Sequence, residues 1–92
     1  MRPGTTVPRL LSKKNPKYPP SSRDARVEGT VVLYVVISSV GVPSDILVYR
    51  PVTPELDAEA IKTVEQWRFS PGTAGGQPAN VPVMIEVNFK LK

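Results

Sequence analysis

The feature that most constrains the fold of this 92-residue chain is a strict alternation of apolar and polar positions near its C-terminus. Side chains of a β-strand point alternately to the two faces of a sheet. The alternation therefore predicts a strand of about eleven residues with one buried face and one solvated face. The apolar positions are Val81, Val83, Ile85, Val87, Phe89 and Leu91.

Two further strands are predicted upstream. Residues 30–38 (TVVLYVVIS) are β-branched or aromatic almost throughout and apolar on both faces, which is typical of a central strand. A turn containing Gly41 leads to residues 45–50 (DILVYR), which we predict to be a second strand antiparallel to the first.

One amphipathic helix follows these strands. Thr53 is the expected N-cap, and Pro54 is suited to the first helical position because its missing N–H has no partner there. An apolar stripe at helical spacing predicts a helix that runs to Trp67 and is stopped by Pro71-Gly72. We interpret Trp67 as a core residue at the helix C-terminus. The stripe comprises Leu56, Ala60, Val64 and Trp67.

The order β–β–α–β predicts an α+β domain of two layers, in which one helix covers a three-stranded antiparallel sheet. Residues 1–20 contain five of the eleven prolines and form a basic, extended arm, while residues 21–92 form the folded domain. Residues 21–28 are expected to form a short helix with Ser21 or Ser22 as its N-cap.

The last strand is expected at an edge of the sheet. Pro82 cannot donate a ladder hydrogen bond and is best accommodated at an edge or at a strand start. An exposed edge invites pairing with another chain unless it is protected. It could accept an extended peptide as an added strand, or it could pair with a second copy to form a homodimer.

Composition argues against catalysis. The chain has neither cysteine nor histidine, so it lacks thiolate ligands, the commonest general base and the commonest metal ligand. Its eight carboxylates show no recognisable metal-binding spacing. We therefore expect no enzyme activity, no cofactor and no metal.

The positive charge is concentrated in the first part of the chain. Residues 1–28 carry seven basic and two acidic side chains, a net charge of +5, whereas residues 29–92 have a net charge of −1. Such an arm is either a solvated leader or a segment that contacts an acidic partner.

Three motifs resemble the C-terminal domain of TonB, the energy transducer of Gram-negative outer-membrane transport. They are "NPKYPPSSRDARVEGTVV", "SSVGVPSDILVYR" and "LDAEAIKTVEQWRFSPGTAGGQPANVPVMIEVNF"; they occur in the family's order, and the resemblance extends over about residues 8–92. The family's aspartate-glycine turn is reduced here to Gly41, and its membrane helix and proline-rich spacer are absent.

The resemblance implies a non-catalytic periplasmic domain at the tip of an inner-membrane-anchored protein. Its missing N-terminal part would contact an ExbB–ExbD-type motor, and the domain would bind the TonB box of an outer-membrane TonB-dependent receptor by strand addition. Tyr18 would either contact the receptor or only pin the arm. The resemblance also implies that the backbone of the last strand, from Val81 to Phe89, would supply the ladder to the box. The implied partner-binding residues are Asn15, Lys17, Tyr18, Pro19, Val81, Val83, Ile85, Val87 and Phe89.

Two other interpretations remain open. A TonB-like domain of a sensor or envelope protein could bind a periplasmic peptide without motor coupling. Alternatively, the chain could be a small basic nucleic-acid-binding module. However, the sheet offers Tyr34 as its one exposed aromatic residue for base stacking, so we expect no nucleic acid as a partner.

Overall fold

The computed structural model describes residues 5–91. The main sheet has three antiparallel strands in the order β3–β2–β7, and α2 packs on one of its faces. The predicted α+β architecture is therefore confirmed. The elements are β1 (Arg9–Ser12), α1 (Pro20–Asp24), β2 (Gly29–Ile37), β3 (Pro43–Arg50), α2 (Pro54–Val64), β4 (Arg68–Ser70), β5 (Gly72–Ala74), β6 (Gln77–Ala79) and β7 (Val81–Phe89).

The core lies between the main sheet and α2. Alternate residues of β2 supply its centre, and these side chains are fully buried because β2 is the middle strand. The predicted helical stripe and the inner face of β7 complete it. The buried apolar residues are Val31, Leu33, Val35, Ile37, Leu56, Ala60, Val64, Trp67, Phe69, Ile85, Val87 and Phe89.

The start of α2 was predicted correctly, but its end was not. The side chain of Thr53 accepts a hydrogen bond from the Leu56 N–H, and Pro54 is the first helical residue. The helix ends at Val64, before the predicted position, so Trp67 lies in the segment between α2 and β4. Trp67 is nevertheless buried in the core, as predicted.

A tertiary contact accounts for the early end of α2. The Phe69 N–H donates to the Gly41 carbonyl oxygen in the β2–β3 turn, at 2.9 Å, and β4 pairs antiparallel with β1. These long-range hydrogen bonds require an extended backbone at residues 68–70, so they replace the helical bonds that the sequence alone would favour.

Smaller differences concern the short elements. Helix α1 begins at Pro20 with Pro19 as its N-cap, so the expectation of a serine cap was wrong. Strand β7 ends at Phe89 rather than at Leu91. Gly75 and Gly76 form the turn between β5 and β6. Tyr49 on β3 is exposed as well as Tyr34, so Tyr34 is not the one exposed aromatic residue of the sheet.

Candidate functional site at the free edge of the sheet

Strand β7 forms a long, regular and unpaired edge. It pairs with β2 through nine consecutive residue pairs, from Gly29–Phe89 to Ile37–Val81, without a register shift. On its other side, no strand of residues 5–91 lies against it. The predicted edge position of the strand carrying Pro82 is thus confirmed, and its outer backbone groups form a template for one more strand.

The opposite edge of the sheet is irregular. The β2–β3 pairing shifts register between Val32 and Leu33 and again between Val35 and Val36. The second shift lies opposite Asp45, whose φ of 46° is rare for a residue with a side chain. Bulges of this kind twist an edge and interrupt its hydrogen-bonding pattern. The sheet therefore has one regular edge, at β7.

Pro82 indicates which residues of β7 present backbone groups to the outside. Because proline lacks an N–H, we expect its nitrogen to face away from β2. Residues of an antiparallel strand alternate between bonding to their neighbour and pointing away from it. The N–H and C=O groups of Met84, Glu86 and Asn88 are then expected on the outer edge, with Ile85 inside the β2–β7 ladder.

The basic arm is held beside this edge by Trp67. The indole Nε1–H donates to the Lys14 carbonyl oxygen at 2.8 Å, and the Lys13 Nζ lies 5.6 Å from the centre of the indole ring. A buried tryptophan needs a partner for its N–H, and the arm backbone provides it here. The cation above the ring adds a favourable electrostatic contact.

A cavity of about 180 Å³ separates the arm from β7. The arm contributes cationic and amide side chains to it, and β7 contributes its outer edge near Glu86. The lining residues of the cavity are Lys13, Asn15, Pro16, Trp67, Glu86, Val87 and Asn88.

Tyr18 anchors the arm at the far end of β7. Its ring packs edge-to-face on Phe89, with 5.6 Å between centroids, and its hydroxyl donates to the Val27 carbonyl oxygen. Desolvation and, to a smaller extent, repulsion from the Glu28 carboxylate raise the pKa of Tyr18 above its ordinary value of 10.0. The hydroxyl therefore remains a hydrogen-bond donor at neutral pH.

This raised pKa predicts a stability change at alkaline pH. An unfolded chain loses the Tyr18 proton near its ordinary value of 10.0, before the folded chain does. The contribution of Tyr18 should therefore be complete below that pH and disappear as the pH rises through the folded-state pKa. Urea unfolding of the parent and of Tyr18→Phe should show a stability difference that shrinks above pH 10.0; a constant difference would contradict the assignment.

Comparison with known proteins agrees with the motifs and the fold. The sequence profile of the family described as "Gram-negative bacterial TonB protein C-terminal" matches residues 14–91. The chain belongs to the TonB C-terminal domain family. The solution NMR structure of the Pseudomonas aeruginosa TonB CTD is similar, with a TM-score of 0.75 and 30% identity, over 92% of this chain and 87% of that chain.

Curated TonB proteins are also similar. Protein TonB of Xanthomonas campestris pv. campestris (strain B100) is 35% identical over 88% of this chain and 38% of its own length. Protein tonB2 of P. aeruginosa is 36% identical over 88% of this chain and 30% of its own length. Protein TonB of Vibrio cholerae is 32% identical over 92% of this chain and 36% of its own length. This TonB C-terminal domain thus spans about a third of these relatives.

In this TonB-family fold, the nine residues singled out from the sequence occupy two neighbouring segments. Asn15 lines the cavity, Lys17 is exposed, and Pro19 caps α1. The named β7 side chains, from Val81 to Phe89, lie on the face towards α2, and the alternation set by Pro82 turns their backbone N–H and C=O groups towards β2. A partner beside β7 would therefore meet the backbone of the residues between them, Met84, Glu86 and Asn88.

The sequence did not assign Trp67 to the site, and it assigned Glu86 and Asn88 only through the backbone of the last strand, not through their side chains. The side chains of Glu86 and Asn88 were interpreted as the solvated face of the last strand, and Trp67 was interpreted as core. One signal was available for Trp67. A tryptophan predicted to be buried requires a hydrogen-bond acceptor for its indole N–H, and the predicted helix offered none.

Proposed function

We propose that this domain is the receptor-binding end of a TonB-type energy transducer and that it binds the TonB box of an outer-membrane receptor as a strand added to the outer edge of β7. The observation that carries the proposal is the nine-residue unbroken β2–β7 register with no strand of residues 5–91 on its other side. Strand addition needs such an edge, and backbone hydrogen bonds supply most of its affinity.

The arm supports the proposal by giving the edge a second wall. Trp67 fixes the backbone of Lys14, and Tyr18 packs on Phe89, so residues 13–18 run beside β7 with the cavity between them. A peptide in that space would have β7 on one side and Asn15 on the other. Lys13 and Lys17 would attract a peptide with acidic residues and help to fix its register.

The geometry is also suited to transmitting tension. A peptide paired with β7 and pulled along the strand axis loads its hydrogen bonds in shear, so several bonds must break together. In this proposal the domain acts in the periplasm, and the part of the protein upstream of it contacts an ExbB–ExbD-type motor that uses the proton-motive force. Within residues 5–91, no helix is long and apolar enough to cross a membrane. We propose no catalytic activity for the domain.

An amide-resolved NMR titration tests the proposal. We expect TonB-box peptides from receptors of the same genome to produce saturable shifts along 81–89 and around Asn15, whereas scrambled peptides produce none. Shifts confined to the basic arm, strongest with a single-stranded oligonucleotide and abolished by salt, would instead identify a nucleic-acid-binding module. Shifts along β7 that depend only on protein concentration would identify a homodimer paired through this edge.

A proline scan of the edge provides a sharper prediction. Met84→Pro should remove an outward N–H, and should therefore weaken box binding by about tenfold or more while leaving the β2–β7 ladder intact. Met84→Ala keeps the N–H and should bind within about twofold of the parent. Isothermal titration calorimetry measures affinity, and the NMR spectrum reports the fold. Equal affinity of a folded Met84→Pro variant and the parent would refute strand addition at this edge.

A further inference from the structure

The face of the main sheet opposite α2 is apolar and has no covering element among residues 5–91. Its centre is a row of three large apolar side chains across the strands, Leu47–Tyr34–Met84, which pair in register. Their exposed fractions are 63%, 38% and 49%. Val32 and Val36 flank Tyr34 along β2 and continue the apolar surface. We call this surface the open face.

One row of residues across the open face carries complementary charges at its two ends. Val32 pairs with Arg50 of β3 on one side and with Glu86 of β7 on the other. Directly paired residues share a face, so the Arg50 and Glu86 side chains lie at the two ends of the same row. Neither makes a salt bridge or a side-chain hydrogen bond within residues 5–91. Each charge is therefore free to meet a partner.

We propose that the open face binds the open face of a second copy of this chain, with a two-fold axis along β2. That rotation places β3 of one copy over β7 of the other. Arg50 then meets Glu86 of the second copy, and the reverse pair forms at the other edge. Leu47 meets Met84 of the second copy, and the two Tyr34 rings meet on the axis. A symmetric interface of this kind uses the same patch on both copies.

The spacing of packed sheets allows these contacts. Two sheets pack about 10 Å apart, which Arg and Glu side chains can span together. The usual rotation of about 30° between packed sheets, taken about Tyr34, displaces the Arg50–Glu86 pairs by roughly 4 Å, because they lie about 7 Å along the strands and about 4.8 Å to the side of Tyr34. The charged pairs stay within reach after this displacement.

The size of the open face sets the strength of the association. Three strands and nine residues give a footprint of roughly 14 Å by 30 Å. An area of about 400 Å² on each copy is below the ~800 Å² of a standard stable interface, so the dimer should be transient and populated only at high concentration. The β7 edge remains free in this arrangement, so the dimer is compatible with a peptide bound to each copy.

Charge reversal provides the decisive test. In a dimer of Arg50→Glu, two pairs of acidic side chains would face each other, and in a dimer of Glu86→Arg, two pairs of basic side chains would do so. Each variant alone should therefore dimerise at least about tenfold more weakly than the parent. An equimolar mixture of the two variants restores both opposite-charge pairs and should recover the association. Sedimentation equilibrium from about 20 µM to about 1 mM measures the mass of each sample against the 10.0 kDa monomer.

A matched pair of leucine variants controls for nonspecific association through exposed apolar side chains. Leu47→Ala should weaken dimerisation, whereas Leu11→Ala, which removes a 70% exposed leucine from β1, should not. A parent that remains monomeric at about 1 mM would overturn the proposal. So would a dimer that survives both Leu47→Ala and the single charge reversals, since its interface would lie elsewhere. The failure of box binding to β7 would leave this result unaffected, because dimerisation is measured without peptide and Arg50 and Leu47 lie on β3, at the other edge of the sheet.

Discussion

Replacing Gly41 with alanine should lower the free energy of unfolding by about 3–5 kcal/mol, a large part of the stability of a small domain. Gly41 has a φ of 83°, and a Cβ built on it would lie 1.8 Å from the Phe69 carbonyl oxygen. The backbone must move to relieve that clash, which would break the hydrogen bond from the Phe69 N–H to the Gly41 carbonyl. The β2–β3 turn would then lose its attachment to β4.

Gly75→Ala is the matched control for the backbone effect. Gly75 also has a positive φ, of 58°, but a Cβ there meets no atom within 4 Å. It should cost only about 1 kcal/mol, the strain of a left-handed alanine. Urea unfolding followed by the fluorescence of Trp67 measures both variants, since the chain has one tryptophan. Equal losses for the two variants would show that the close approach of Gly41 to Phe69 contributes nothing.

Trp67→Ala should have an effect of similar size, about 3–5 kcal/mol, and should also release the arm. Trp67 is 6% exposed and packs near Phe69, with 6.5 Å between ring centroids. The substitution removes this packing together with the hydrogen bond to Lys14 and the contact with Lys13. Because the fluorescent residue is lost, far-UV circular dichroism must follow the unfolding. The heteronuclear NOE of residues 13–17 should fall and so report the mobility of the arm.

Trp67→Phe separates the two roles of the tryptophan. Phenylalanine keeps an aromatic ring in the core but has no N–H donor, so the core should persist with a smaller loss of about 1–2 kcal/mol. The heteronuclear NOE of residues 13–17 should still fall. Unchanged NOE values in a folded Trp67→Phe domain would mean that the hydrogen bond to Lys14 does not hold the arm.

The parts of the fold that the sequence predicted are those with periodic signals. The alternation from Val81 to Phe89, the apolar run of β2 and the cap at Thr53 each depend on local spacing, and each was confirmed. Their order sufficed for the α+β architecture, because a single amphipathic helix can bury its stripe only against the sheet.

The parts that were missed depend on pairings between distant segments. Strands β1 and β4 have four and three residues, too few to show a period, and they pair across more than fifty positions of the chain. The end of α2 is set by the bond between Phe69 and Gly41, which local propensity cannot reveal. The cavity beside β7 could not be predicted from the sequence either, because it forms only when the hydrogen bond from Trp67 to Lys14 holds the arm near that edge.

A pull on the N-terminal side of the domain would act first on the contacts that attach the arm and only then on the main sheet. Traction at Thr5 first meets the Thr6–Thr73 bridge, then the short β1–β4 pair, and last the bond from Trp67 to Lys14. If the pull loads these contacts one at a time, each step breaks fewer hydrogen bonds than separation of the nine-pair β2–β7 ladder would. Detachment of residues 5–14 would release a segment with an extended length of up to roughly 30–35 Å. The arm would thus extend at a lower force than the sheet, and it would lengthen before the full force reaches β7.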